Sequence, residues 1–498
     1  HGPERRDRIM KKAKYREINL YSYYDFSGMA RHLEDMARQG WQLERIGSQF
    51  WTYRRCPPTE MRYSVVYFEK ASDLDAAPSQ EQQGFWEMCR TAGWELATSR
   101  GVMQIFRNPD PHAVPIETDP VVQVENVHAA MKKTLVPSYA VLLGCCLLQI
   151  WLIVRRAASD PIDLLTDPFG LPSFLLWGIL GIHIAADLIS YFRWLRKART
   201  TAREEGTLLP PKSQRWRQMV LLAAVFLYIL FLIFSALGIC GYTDIPLPIL
   251  LVALVYGAVL TIAIRGSQYL MKRRGVSPVT NRVLSCVIGC GVCFLVLFAG
   301  VKWIAGGTPA MQGHVNTETR TSPAYPAGDT EHTYTVYHDP LPLTVEDLVG
   351  ETAYTDYSCR RDVEGTPLMT QYDYRQEVPF VFTVSPEDGP ELDYTVYQIK
   401  LDCLYEPLKS SFFKDKVYTI HGQIDFVFSP GWEAADAAPW GALDAYQRHD
   451  ESGTPTGSYL LCYENRFVEI RFDGWDNAAP TAEQMALVGE ALGFGALT

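Results

Sequence analysis

His183 and Asp187 lie four positions apart inside an apolar stretch of a 498-residue chain. That spacing puts both side chains on one face of a helix. An imidazole and a carboxylate buried together can pass a proton, and ionisable groups inside a bilayer mark transport paths and relays. The plainer account is a hydrogen bond between helices, with Asp187 reaching toward the headgroups that the nearby Arg193 marks. A second grouping, Cys286, Cys290 and Cys293, ends in Cys-Gly-Val-Cys, a spacing known from redox motifs and half zinc sites. It sits in an apolar run beside Gly289 and Gly291, where thiolates are poorly stabilised, and no second ligand pair accompanies it. Small residues for close helix packing explain it better.

Ser411-Phe-Phe-Lys414 has the Ser-x-x-Lys spacing in which a lysine can activate a serine nucleophile. Its companion elements, Ser-x-Asn and Lys-Thr-Gly, are absent from the same region, so chance explains the match. No His-Glu-x-x-His, Gly-x-Ser-x-Gly or phosphate-binding glycine loop occurs there. His314, His332, His338, His421 and His449 follow no metal-ligand rhythm. No catalytic, cofactor or metal residue is assigned, and a non-enzymatic protein is expected.

The elements that hold these residues follow from how charge is distributed. Residues 1–133 carry 19 Lys/Arg against 18 Asp/Glu, residues 134–305 carry 16 against 7, and residues 306–498 carry 11 against 31. The middle block contains five apolar runs, at about 135–154, 171–192, 218–240, 247–266 and 283–305. Each approaches the roughly 20 residues that cross a bilayer as a helix. A wholly soluble protein, a secreted disulfide scaffold and a free nucleic-acid binder are thereby excluded. Nothing near His1 has the form of a cleaved leader. Met10-Lys11-Lys12 looks like a natural start, which leaves the first nine residues out of the fold reasoning.

Orientation comes from the links. Lys132 and Lys133 precede the first run, eight cations from Arg193 to Arg217 join the second to the third, and Lys272, Arg273, Arg274 and Arg282 join the fourth to the fifth. The positive-inside rule puts these links and the N-terminus in the cytoplasm. Five crossings then put the acidic C-terminal block outside. Arg155 and Arg156 fall on the wrong side of this scheme, offset by Asp160, Asp163 and Asp167.

The N-terminal block contains an internal similarity. Gly40-Trp41-Gln-Leu43 runs on to Phe50-Trp51-Thr-Tyr53-Arg54, and Gly93-Trp94-Glu-Leu96 runs on to Ile105-Phe106-Arg107. Each follows an amphipathic stretch, 27–39 and 80–92, with helical spacing of apolar positions. Ser79-x-x-Gln82 reads as a capping box, and a glycine stands where a left-handed C-cap is needed. Alternating segments Tyr15–Tyr24 and Arg62–Phe68 supply a strand before each helix. Trp41, Trp51, Tyr53 and Trp94 are the candidate ligand- or partner-binding aromatics, in a cleft between the two copies. Aromatics repeated at one place in a fold also pack as core. Cations alternate with anions here, so direct nucleic-acid binding is not expected.

Tyr24-Asp-Phe-Ser-Gly28, Leu33-Glu-Asp-Met-Ala37, Gly40-Trp-Gln-Leu43 and Phe50-Trp-Thr-Tyr-Arg54 resemble a bacterial family called domain of unknown function 2812. The resemblance continues through Arg62-Tyr63, Val66-Tyr-Phe68, Gly93-Trp94 and Pro115-Ile-Glu-Thr118, covering about residues 12–130. It implies a membrane protein of Firmicutes, often encoded beside PadR-like regulators, and hence a regulated, signalling role. It supplies no catalytic residues.

After Gly306-Gly307 a stretch rich in Thr, Pro, Ala and Gly, about 306–330, reads as a tether. Strand-like alternation follows at Thr333–Tyr337, Glu377–Val384, Tyr394–Tyr405, Val417–Phe428 and Ser458–Phe472. Thr344-x-x-Asp347 opens a short helix and Thr481-x-x-Gln484 a final one. One disulfide among Cys359, Cys403 and Cys462, or none, suits the block equally. Its acidity gives solubility and repels anionic lipid, and would also attract Ca²⁺, cationic peptides or cell-wall groups.

The expected whole is a multi-domain membrane protein of the cell membrane. Residues 10–130 form a cytoplasmic α+β domain of two strand–helix–strand–strand repeats, 131–305 five transmembrane α-helices, and 331–498 a β-rich α+β extracytoplasmic domain. The leading functional expectation is a sensor or signalling anchor, with a PadR-like regulator or another cytoplasmic effector as partner besides the bilayer. Homo-oligomers are compatible with it. The alternative is a transporter subunit or proton-coupled permease using His183 and Asp187.

Overall fold

The computed structural model describes residues 14–47, 49–236, 247–305, 316–322, 332–350, 357–379, 390–414, 416–420, 423–428, 430–450, 452–473 and 480–495. The chain divides into two compact units. One is drawn from His1–Gln149, Leu176–Tyr228 and Leu254–Val301, the other from Ile150–Leu175, Ile229–Ala253 and Lys302–Thr498.

In the first unit the order strand, helix, strand, strand occurs twice. β1 (Lys14–Ile18), the helix Phe26–Arg38, β2 (Trp41–Ile46) and β3 (Phe50–Arg55) come first. β4 (Arg62–Tyr67), the helix Gln80–Thr91, β5 (Glu95–Arg100) and β6 (Met103–Asn108) follow. Their sheets have the orders β1-β3-β2 and β4-β6-β5, all antiparallel. Register shifts between Leu43 and Arg45 in one and between Leu96 and Thr98 in the other, the same distance after each Gly-Trp. β2 and β5 lie side by side.

Local chemistry accounts for these boundaries. Asp25 caps the first helix by accepting from the Gly28 N–H at 2.9 Å, and Ser79 caps the second through the Gln82 N–H at 3.1 Å. Gly40 and Gly93, at φ of +81° and +83°, turn the chain into β2 and β5, a conformation that other residues adopt only with strain. The expected first strand over Tyr15–Tyr24 stops at Ile18, because the Asn19 side chain accepts from the Tyr21 N–H at 3.0 Å and bends the chain.

Four helices among the described residues are long and apolar enough to cross a membrane: Pro120–Ser159, Gly170–Glu204, Arg215–Ser235 and Pro278–Leu295. The first contains a break, since Pro120–Lys133 and Leu135–Ser159 are separate helices meeting at Thr134. The expected fourth span, 247–266, lies in the helix Leu247–Arg273, of which the side chains of 247–254 are outside the described residues.

The second unit is built on a seven-stranded antiparallel sheet, in order β14 (Trp432–Ala435), β15 (Asp444–His449), β16 (Pro455–Cys462), β17 (Arg466–Asp473), β11 (Glu391–Ile399), β10 (Met369–Glu377) and β9 (Ser358–Gly365). One face buries Tyr374, Tyr394, Val396, Leu461 and Ile470 with residues of the capped helices Val345–Val349 and Ala482–Val488. The opposite face is apolar at one end only, where Met369, Ile399, Leu460 and Phe467 meet Leu408 and Phe412. Ile162 and Leu165, from the short helix Pro161–Thr166, pack there too, and Thr366 Oγ1 donates to the Leu165 carbonyl at 2.7 Å.

Several expected strands shift. Tyr405 begins a helix, Tyr405–Ser411, rather than ending β11. Val417–Phe428 and Ser458–Phe472 are each a hairpin, β12 (Lys416–Ile420) with β13 (Gln423–Phe428), and β16 with β17. Of Glu377–Val384, Glu377 closes β10 and residues 380–384 are outside the described set. Within the expected tether, residues 316–322 alone are described, and there β7 (Thr317–Ser322) pairs with β8 (His332–Tyr337).

Candidate functional site

The turn ahead of the helix Phe26–Arg38 decides where its polar residues go. The Asp25 N–H donates to the Ser22 carbonyl at 2.8 Å, and this tight bend turns Ser22, Tyr24 and Asp25 inward, all buried. Ser22 Oγ donates to Asp187 Oδ1 at 3.0 Å, across 165 residues of chain. Asp187 Oδ1 also lies 3.5 Å from Arg217 Nη2, and Arg217 donates to Ser190 Oγ at 3.1 Å. The Tyr139 hydroxyl lies near the same carboxylate. A turn of the N-terminal domain thus joins polar residues on two membrane-type helices.

Aromatic packing seals this seam. The Tyr24 ring meets Tyr191 edge-on at 5.2 Å and lies 5.9 Å from Trp194, whose Nε1 donates to the Leu209 carbonyl at 3.0 Å. Tyr191 and His128 are hydrogen-bonded at 2.8 Å, while Arg199 grips Glu125 with two bonds of 2.9 and 2.7 Å. The Arg215 guanidinium stands 4.1 Å over the Tyr21 ring. Lys133 and Lys272 donate to the Glu69 and Asp73 carbonyls at 2.7 and 2.9 Å. Cations of the basic links are therefore spent on the N-terminal domain.

The electrostatics are those of a buried site. Burial raises the Tyr24 hydroxyl above its ordinary pKa, and the Asp187 charge adds to the effect. Burial also raises the Asp25 carboxyl, opposed by the Gly28 N–H and the Ser213 hydroxyl. The carboxylate and the guanidinium face each other, and each is hydrogen-bonded through one atom, Asp187 Oδ1 to Ser22 and Arg217 Nη2 to Ser190.

Of the four candidate aromatics, Trp51 and Tyr53 are fully buried in one core, both near the His32 ring, at 6.2 and 6.4 Å. Trp41 is half-buried at the margin of that core, 5.4 Å from Tyr15 and under the Arg55 guanidinium at 4.9 Å. Trp94 belongs to a separate core with Val66, Cys89 and Phe106, its Nε1 donating to the Val114 carbonyl at 3.0 Å. His183 is buried one turn before Asp187, but the hydrogen bond and ion pair of Asp187 Oδ1 go to Ser22 and Arg217. Ser22, Tyr191, Trp194 and Arg217 carry no motif, and Tyr24 stands out only as the first residue of the family-like stretch Tyr24-Asp-Phe-Ser-Gly28. The one available signal was Arg217, a cation opening an apolar helix that could reach the depth of an acidic residue.

The remaining motifs resolve simply. Ser411 Oγ donates to the Leu408 carbonyl within its own helix, and Cys293 lies 2.7 Å from the Tyr256 hydroxyl. Cys359, Cys403 and Cys462 are free thiols. Among the described residues no three His, Cys, Asp or Glu side chains are grouped to hold a metal.

Residues 25–139 match a family described as Protein of unknown function (DUF2812). The match opens on Asp25 and closes on Tyr139, two residues of the seam. No curated protein and no solved structure matches the chain.

Proposed function

We propose that this membrane protein is a non-enzymatic sensor or signalling anchor, in which the duplicated N-terminal domain is docked on five membrane helices from the cytoplasmic side. The observation that carries this reading is the Ser22–Asp187–Arg217 seam. A freely tethered domain would leave no charge buried against the helices. Here one carboxylate serves both the domain and two helices, so displacing either helix separates a buried pair, at a cost of about 3–5 kcal/mol. A buried pair of that strength ties the domain and the helices into one contiguous network, through which coupling between distant sites can travel.

The orientation is supported by where the cations end. Arg199, Arg215, Arg217 and Lys272 are engaged around the N-terminal domain. Arg156, on the wrong side by charge counting, is bound by both Asp163 and Asp167, and with Arg155 it is outnumbered by the cations of the other links. The helix bearing Asp187 begins three residues after that link, so the acidic outer domain has a direct covalent route to the seam.

The effector in this reading is a PadR-like regulator or another cytoplasmic protein, which would meet Trp41, the half-buried member of the aromatic set, and the Arg55 above it. A proton-coupled permease would need Asp187 available to His183, whereas its contacts with Ser22 and Arg217 favour the anchor. Affinity capture of the full chain from native membranes tests this. A regulator or kinase should co-purify, and the yield should fall for Trp41→Ala. Transporter subunits, or the chain alone, would count against it.

A further inference from the structure

The sheet β1-β3-β2 is covered on one face. There Glu17 meets His32 of the helix Phe26–Arg38 at 2.8 Å, and Trp51 and Ile46, in register with Glu17, are buried. The opposite face is exposed and sorted by character along the strands. Ile18 stands directly opposite Phe50, and the two are 46% and 49% exposed. Two residues on, Arg16, Thr52 and Arg45 form one cross-strand row. Two further on, Lys14 stands opposite Arg54. At about 3.4 Å per residue the rows are about 7 Å apart.

Lys14 and Arg54 are like charges directly opposite, an arrangement that destabilises a sheet. Lys14 is answered by Glu44 at 2.8 Å, and Arg54 by the neutral Gln42 at 3.0 Å. Arg16 and Arg45 are exposed, and neither side chain has an ion pair or hydrogen bond among the described residues. Four cations and the Glu44 carboxylate therefore share this face, with an apolar pair at one end.

The apolar end is the one nearest the membrane helices. The Asn19 N–H donates to the Gln49 carbonyl at 2.8 Å, which ties the chain entering β3 to the turn that follows β1. In that turn Tyr21 stacks on Trp51 at 5.9 Å and lies under Arg215, the first residue of the helix Arg215–Ser235. The next residue, Ser22, reaches Asp187. In the docked arrangement Ile18 and Phe50 thus stand at the level where the helix enters the bilayer. Trp216 marks that level, 63% exposed and of a type enriched at bilayer interfaces.

We infer that this face rests on anionic headgroups of the bilayer. Ile18 and Phe50 sink into the boundary of the acyl chains, and Arg16 and Arg45 take lipid phosphates, which guanidinium forks match. The headgroup layer is about 5–8 Å deep on each side, so a cation row about 7 Å from the apolar pair falls within it. Nucleic acid would answer the cations and leave the apolar pair in water. A protein partner would have to fit between the apolar end and the bilayer. The inference goes beyond the sensor reading and rests only on the docking of the N-terminal domain on the membrane helices.

Photo-crosslinking of the full chain tests it, with benzoylphenylalanine replacing Phe50, Trp216 or, beyond the far end of β3, Glu60. In nanodiscs containing phosphatidylglycerol, the first two positions should give lipid adducts by mass spectrometry, and position 60 should give none. Arg16→Gln combined with Arg45→Gln, both at exposed positions, should cut the adducts at position 50 at least about fivefold and leave those at position 216 unchanged. Nanodiscs of phosphatidylcholine alone should do the same. Lipid adducts at position 50 that ignore both the arginines and the lipid charge would overturn the contact. So would adducts to protein or nucleic acid in place of lipid in native membranes. Lipid adducts at position 216 with none at position 50 would overturn the contact and leave the docking standing, whereas none at either would tell against the docking as well.

Discussion

Asp187 and Arg217 lie 3.5 Å apart with 1% and 11% of their side chains exposed, each on a different membrane-type helix. Ser22, from the N-terminal domain, shares the same carboxylate oxygen. The three positions are far apart in sequence and have no motif in common. What joins them is the expense of leaving any one unpaired in a buried environment.

Removing both partners of this pair should cost less than the two single removals added together. Asp187→Asn and Arg217→Gln are each expected to destabilise the protein by about 3–5 kcal/mol, because each leaves or weakens a buried charge interaction. The double variant should lose clearly less than the sum. Chemical unfolding of the purified protein measures the cycle, and additive effects would mean that the two residues do not interact.

Asp25 gives a pH signature of definite sign. Its carboxyl is raised by burial, so the folded state holds the proton more tightly than the unfolded chain. Its contribution to stability is complete below the ordinary aspartate value, about 3.9, and is lost as pH rises through the raised folded value. Asp25→Asn keeps an oxygen to accept from the Gly28 N–H and removes the charge. It should flatten the melting temperature over that window and leave the protein at least as stable at neutral pH. Asp25→Ala should cost about 1 kcal/mol through the lost cap. A steeper pH profile for Asp25→Asn would refute this assignment.

The candidate aromatics should separate by role. Trp51 is 3% exposed within the core, and Trp51→Ala should cost about 3–5 kcal/mol. Trp41 is half-buried under Arg55, so Trp41→Ala should cost less than half as much while reducing effector capture. Equal destabilisation with unchanged capture would make Trp41 another packing residue.

Free cysteines offer an orientation test. Cys403 is exposed in the acidic domain and Cys56 is half-buried in the N-terminal one. In single-cysteine variants, a membrane-impermeant maleimide should label Cys403 on intact cells and Cys56 only after lysis. The reverse pattern would invert the topology.

How much of this was legible depended on how local its physics is. The helices Phe26–Arg38 and Gln80–Thr91 were readable because Gly40 and Gly93 end them by a requirement of backbone conformation alone. The capping boxes at Thr344 and Thr481 were readable for the same reason. β9 and β10 were missed because their inner face also carries polar residues, Arg361 and Gln376 beside Tyr374, which broke the alternation that marks a strand. Asp187 was noticed, but its partner was not. His183 was the nearest residue in sequence, whereas Arg217 and Ser22 reach the carboxylate only through tertiary packing.

The central claim is that the seam couples the N-terminal domain to the membrane helices. Hydrogen exchange on the full chain in lipid nanodiscs tests it most directly, comparing wild type with Asp187→Asn. The predicted result is faster exchange of the amides from Asn19 to Gly28 and in the helix around Arg217, with the strands β2 to β6 unchanged. Identical exchange of the Ser22–Asp25 turn in the two proteins would contradict the claim, because the domain would then be held without the carboxylate on which the account depends.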